Sequence, residues 1–112
     1  MKFKSKEVKG VMIIELTGNV MGGPDATVLN EQIHKLIDDK KRKIVIDLSD
    51  VKFINSSGLA MLIGGLNTMR KSGGEMKLAR ASEKIETLLE MTKLNTVFDI
   101  HKTVNEAVTA FK

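Results

Sequence analysis

The chain has 112 residues, 42% of them hydrophobic and 29% charged, which suits one modest hydrophobic core and not two. It contains no cysteine, so disulfide and thiolate chemistry are excluded, as suits a reducing cytoplasm. The formal net charge is +4, but there is no Trp or Tyr and the four Phe are not interleaved with the lysines, which argues against direct nucleic-acid binding.

The opening Met1-Lys-Phe-Lys-Ser-Lys6 leads into no apolar core, so it does not read as a secretory signal. No apolar run approaches the ~20 residues needed to span a bilayer, so no membrane insertion is expected. Residues 2–8 alternate imperfectly and carry Lys2, Lys4 and Lys6, the pattern of a charged edge strand. Lys9-Gly10 reads as a two-residue turn, and Val11 to Thr17 as a more interior second strand. Gly18 to Gly23 reads as a loop. Pro24 suits the first position of a helix and Asp25 its first turn. Ala26, Leu29, Ile33, Leu36 and Ile37 give that helix one apolar face, with His34 at its margin. No second metal ligand or triad residue is spaced with His34, so it reads as a partly exposed helix histidine. Lys40-Lys41-Arg42-Lys43, directly after Asp38-Asp39, reads as a solvated turn rather than a phosphate-binding patch.

Ile44 to Leu48 is a β-branched run broken only by Asp47, which predicts a buried central strand. Ser49 to Ile54 reads as a connection. Asn55-Ser56-Ser57-Gly58 follows, three capping-type residues and a glycine. Leu59, Leu62, Ile63, Leu66 and Met69 then recur at helical spacing, predicting a helix from about 57 to 71. Ala60, Met61, Gly64, Gly65 and Thr68 fall mostly off this stripe. They predict a small, smooth outer face, open to close approach by another molecule or by a neighbouring element of the same fold. Ser72-Gly73-Gly74 ends the helix.

Glu75 to Ala79 alternates as a strand with Met76 and Leu78 inward. Ser82 caps a helix whose Ile85, Leu88 and Leu89 face inward. Thr96 to Ile100 is a short strand at best. Thr103 and Glu106 form a capping box for a last helix with the stripe Val104, Ala107, Val108 and Phe111. The order β-β-α-β-α-β-α-β-α predicts an α/β fold. Its mostly parallel sheet has four to five strands with right-handed crossovers, an antiparallel edge strand comes from the opening hairpin, and about four helices pack around it.

The serine pair lies where a helix begins, just past a buried strand. The first N–H groups of a helix lack partners within it, and the peptide dipoles place partial positive charge there. A phosphoryl group on Ser56 or Ser57 fits that place, and so does a serine that simply caps the helix. Enzymatic machinery is missing. His34 and His101 are the only histidines, and the serines lack the Gly-x-Ser-x-Gly elbow. Neither a phosphate-binding Gly-x-x-x-x-Gly-Lys-Ser/Thr loop, nor a Gly-x-Gly-x-x-Gly turn, nor a metal-ligand cluster is present. The chain therefore reads as a non-enzyme without a cofactor.

Asp47-Leu48-Ser49-Asp50-Val51 and Ile54-Asn55-Ser56-Ser57-Gly58-Leu59 resemble the signature of STAS domains, specifically the bacterial anti-sigma factor antagonists. The resemblance extends from Ile14-Glu15-Leu16-Thr17-Gly18 through Leu94 and Phe98 to the final helix, so residues 1–112 read as a single STAS domain. It implies that Ser56 is the acceptor, with Ser57 secondary, and that the kinase is itself the anti-sigma factor, supplying ATP and Mg²⁺. A serine phosphatase would reverse the step. The implied partner surface comprises Met21, Gly22, Gly23, Asp25, Asn55, Ser56, Ser57, Gly58, Ala60, Met61 and Gly64. Two positions depart from the family. Asn55 stands where an Asp usually precedes the acceptor. Met21 stands where the loop after the second strand often carries an acid, with Asp25 nearby as a candidate substitute. A non-phosphorylated STAS subunit of a signalling scaffold or lipid-transport complex is the second reading, and a small enzyme or nucleotide binder the third.

Overall fold

The apolar runs assemble into a five-stranded sheet in the order β1-β2-β3-β4-β5 in the computed structural model, which describes residues 2–111. In chain order the elements are β1 (Lys2–Val8), β2 (Val11–Val20), α1 (Pro24–Asp38), β3 (Lys43–Ile54), α2 (Ser56–Lys71), β4 (Glu75–Ala79), α3 (Glu83–Met91), a 3₁₀ turn (Leu94–Thr96), β5 (Ile100–His101) and α4 (Val104–Thr109). β1 runs antiparallel to β2, and the remaining pairings are parallel. The hairpin turn holds Lys9 and Gly10 at φ 52 and 81, the left-handed pair that matches the twist of the flanking strands.

Period-two alternation assigns each strand residue to a face. Ile14 and Leu16, Ile44, Ile46 and Leu48, and Met76 and Leu78 point to one side, where they pack with α1, α2 and α3. Val11, Ile13, Val45 and Ala79 point to the other and pack with Ala107 and Val108 of α4. Because α4 covers that second face, Lys77 is buried too, and not only Met76 and Leu78. Its ammonium pairs with Asp99 at 2.5 Å and lies 5.0 Å from the centre of the Phe111 ring.

Three expectations need correction. β3 does not end at Leu48, and Gly18 to Val20 is not loop. Past the end of β4, β2 and β3 continue as a two-stranded ribbon that pairs Thr17 with Asp50 and Val20 with Ile54. Register shifts between Glu15 and Thr17 and between Gly18 and Asn19 each give β3 one extra residue. Such bulges break the alternation by which a strand is recognised. Of the expected strand at 96–100, Thr96 closes the 3₁₀ turn, residues 97–99 are irregular, and pairing is confined to Ile100 and His101. Among the described residues, no helix is long and apolar enough to cross a membrane.

Candidate functional site

The β2–β3 ribbon delivers the chain to the start of α2. Asn55 is the residue that caps this helix. Its backbone is extended (φ −94, ψ 180), and its Oδ1 accepts the Gly58 N–H at 2.7 Å. Its own N–H donates to the Val20 carbonyl at 3.3 Å, and its carbonyl accepts from Leu59 at 2.9 Å. Of the two sequence readings of the serines, capping therefore falls to neither. Ser56 and Ser57 occupy the first two helical positions, and both are exposed. Among the described residues neither hydroxyl has a hydrogen-bond partner. The first turn of α2 carries no acidic side chain, so no carboxylate of that turn offsets its partial positive charge.

The loop between β2 and α1 packs against this start. A Cβ on Gly58 would stand 2.1 Å from the Val20 carbonyl oxygen, so only glycine fits there. Gly22 is buried at φ 78, and a Cβ on it would meet Ser57 Cβ at 2.7 Å. Gly23 at φ 61 then opens α1, with Pro24 at the first helical position and no side-chain cap. Met21 in this loop is 44% exposed, a large apolar side chain next to the buried Gly22 in the chain. Asp25, in the first turn of α1, is half-buried.

Of the residues expected at a partner surface, the structure brings Gly22 and Gly23 together with Ser57, and Met21 and Asp25 lie close to that glycine pair in the chain. The outer face of α2 divides in two. Ala60 and Gly64 are exposed, and a Cβ on Gly64 would meet nothing within 4 Å. Met61 is only 8% exposed and belongs to the main core, contrary to its expected place off the core stripe. The reason is that α2 is covered along two sides, by the sheet and by α1. Gly65 is buried for the same reason, since a Cβ there would stand 2.7 Å from Ile33 Cδ1. Gly22, Gly58 and Met61 thus shape the site from beneath rather than offering side chains to a partner. A groove of about 630 Å³ between α1 and α2 runs from Gly22 and Ser57 past Ala60 and Gly64 to Thr68.

A further cluster joins residues that lie far apart in the sequence. Asp47, with a side chain 1% exposed, is gripped by Arg80 at the end of β4. Arg80 donates through Nε to Oδ1 at 3.0 Å and through Nη2 to Oδ2 at 2.6 Å, and Nη2 also reaches Ser49 Oγ at 2.8 Å. The Ser49 N–H donates to Asp47 Oδ1 at 3.0 Å. Burial pushes this carboxyl upward, but the Arg80 hydrogen bonds, the Ser49 amide and the Arg80 charge outweigh it. The carboxyl sits below its ordinary range. The available signal was Asp47 itself, because a carboxylate inside a buried strand requires a cation. His34 is exposed on α1, and His101 lies on β5, separated from β3 by β4. Among the described residues no three His, Cys, Asp or Glu side chains group so as to hold a metal ion.

The model of the STAS domain matches residues 2–107. The chain belongs to the STAS domain family. This STAS chain is 33% identical over 85 residues to the anti-sigma-B factor antagonist of Bacillus subtilis, covering 73% of this chain and 77% of that protein. It is 26% identical over 102 residues to the anti-sigma F factor antagonist of Paenibacillus polymyxa, covering 90% and 86%. The crystal structure of TM1081 from Thermotoga maritima superposes on it with a TM-score of 0.86 at 28% identity, covering 96% of this STAS chain and 92% of that one.

Proposed function

We propose that this STAS domain, residues 1–112 acting in the cytoplasm, is an anti-sigma factor antagonist switched by phosphorylation of Ser56. The carrying observation is the free, exposed Ser56 hydroxyl at the first position of α2, left unengaged because Asn55 supplies the cap. The names of the Bacillus and Paenibacillus relatives support the antagonist role over that of an unmodified scaffold or transport subunit.

The chain acts as a binding protein rather than an enzyme. In its unmodified state it docks on an anti-sigma factor that is also a serine kinase, and the sigma factor is released. The partner surface is the β2–α1 loop at Met21, Gly23 and Asp25 with Asn55, Ser56, Ser57, Ala60 and Gly64. Gly22, Gly58 and Met61 hold these residues in place. The kinase supplies ATP, Mg²⁺ and the general base. The Ser56 Oγ attacks the γ-phosphorus, its proton passes to the kinase's base, and ADP leaves. The product adds a charge of about −1.5 to −2 at the contact surface. The unpaired N–H groups and dipole of α2 stabilise that charge within the domain. The partner has to desolvate it, and the complex weakens. A serine phosphatase restores the binding form.

Intact mass after incubation with the cognate kinase and ATP tests this reading. The wild-type chain gains one phosphate, Ser57→Ala gains it as well, and Ser56→Ala does not. Phosphate on Ser56→Ala would remove the site assignment, and stable binding without any mass change would favour the scaffold subunit.

A further inference from the structure

β3 outruns its neighbour on the side away from β2. Pairing with β4 ends where Asp47 meets Ala79, and the chain then leaves for α3 through Arg80, whose backbone is left-handed at φ 57. Among the described residues, Asp50 to Ile54 are paired with β2 alone, so their other edge is bare. α3 passes beside this edge without closing on it, leaving a groove of about 720 Å³. Phe53 and Ile54 form one wall, with Ile85, Leu88 and Met91 opposite. Phe53 is 43% exposed and Met91 77%, two of the largest apolar side chains the domain leaves open to water. Lys52 and Lys84 flank the groove from its two walls, with Glu83 beside Lys84 and the exposed Asp50 at the start of the bare edge.

A bare strand edge beside apolar side chains suits an extended chain. The edge offers main-chain hydrogen bonds that a helix cannot use, and the wall takes alternate side chains. A second copy of this domain fits poorly. Antiparallel self-pairing centred on Lys52 would set that lysine against its own copy, and the β1 edge would bring Lys2, Lys4 and Lys6 towards Lys52 and Lys84. Lys52 and Lys84, one on each wall, instead suit acidic flanks on the segment between them. We propose that the β3–α3 groove is a second docking site, which takes an extended apolar segment with acidic flanks from a different protein as an added strand along Asp50 to Ile54. The site does not include the Ser56 hydroxyl and stands whether or not that residue is an acceptor.

The probe is a phage-displayed library of random linear peptides, selected on the full chain. Enriched clones are expected to share alternating apolar positions flanked by Asp or Glu. A synthetic copy should shift the amide resonances of Lys52, Phe53 and Ile54. Phe53→Asp and Met91→Asp both alter exposed positions, and each should weaken binding about tenfold or more. Methylating alternate backbone nitrogens of the peptide should abolish binding, and Ser56→Ala should leave it unchanged. The Lys52→Glu/Lys84→Glu pair should reverse the preference towards lysine-flanked peptides. The proposal is overturned by an unenriched library, by peptides indifferent to these variants or to N-methylation, or by a dimer that Phe53→Asp dissolves.

Discussion

α2 and α3 begin in different ways, although both begin with serines at hand. At α3 the hydroxyl of Ser82 is used up, because it accepts the Ile85 N–H at 3.2 Å and closes the helix start. Thr103 does the same for α4, accepting from Glu106 at 3.0 Å. At α2 an amide side chain takes over this work, and the two hydroxyls that follow stay free. A serine at the cap is structural, because removing it leaves a backbone donor without a partner. A serine one position later contributes almost nothing to the fold and remains available to another molecule. The shift of one residue separates the two roles.

Substitutions sharpen this contrast. The largest effect is expected from Gly58→Ala, which forces a methyl into the Val20 carbonyl and should cost about 3 kcal/mol in chemical denaturation. If Gly58→Ala melts like wild type, the close approach that fixes the start of α2 is not there. Next comes the Asp47–Arg80 pair that anchors the base of the ribbon. Its carboxyl is held below the ordinary 3.8, so its contribution is full above that value and is lost as pH falls through the lower folded value. Asp47→Asn should cost about 2 kcal/mol at neutral pH and flatten the acid limb of the stability profile. An unchanged acid limb would discard this account. The smallest effects make the comparison directly. Asn55→Ala and Ser82→Ala should each cost about 1 kcal/mol, whereas Ser56→Ala should stay within about 0.5 kcal/mol of wild type. A Ser56→Ala loss equal to that of Ser82→Ala would erase the distinction.

Much of this arrangement could be read from the chain. The order of elements follows from periodicity, Pro24 marks the start of α1, and Ser82 and Thr103 are recognisable caps. The position of the serine pair at the beginning of a helix is also legible. The cap itself was ambiguous, because Asn55, Ser56 and Ser57 are all capping residue types and only backbone geometry chooses among them. β3 was truncated at Leu48 because its bulges disrupt alternation just where β4 stops. Met61 was misplaced because a helix packed on both a sheet and a neighbouring helix buries a wider stripe than one lying on a sheet alone. The Arg80 partner of Asp47 lies 33 residues away, joined only through the pairing of β3 with β4. The β3–α3 groove depends on two strands differing in length, and local composition carries no trace of that.

Val20 stands in a single place on both sides of the site. Its carbonyl holds the Asn55 N–H, and the same oxygen occupies the space that a side chain at Gly58 would need. No slack separates the β2–α1 loop from the first turn of α2. Ser57 bears directly on the loop at Gly22, so a shift of either is felt by the other without any hinge or relay between them.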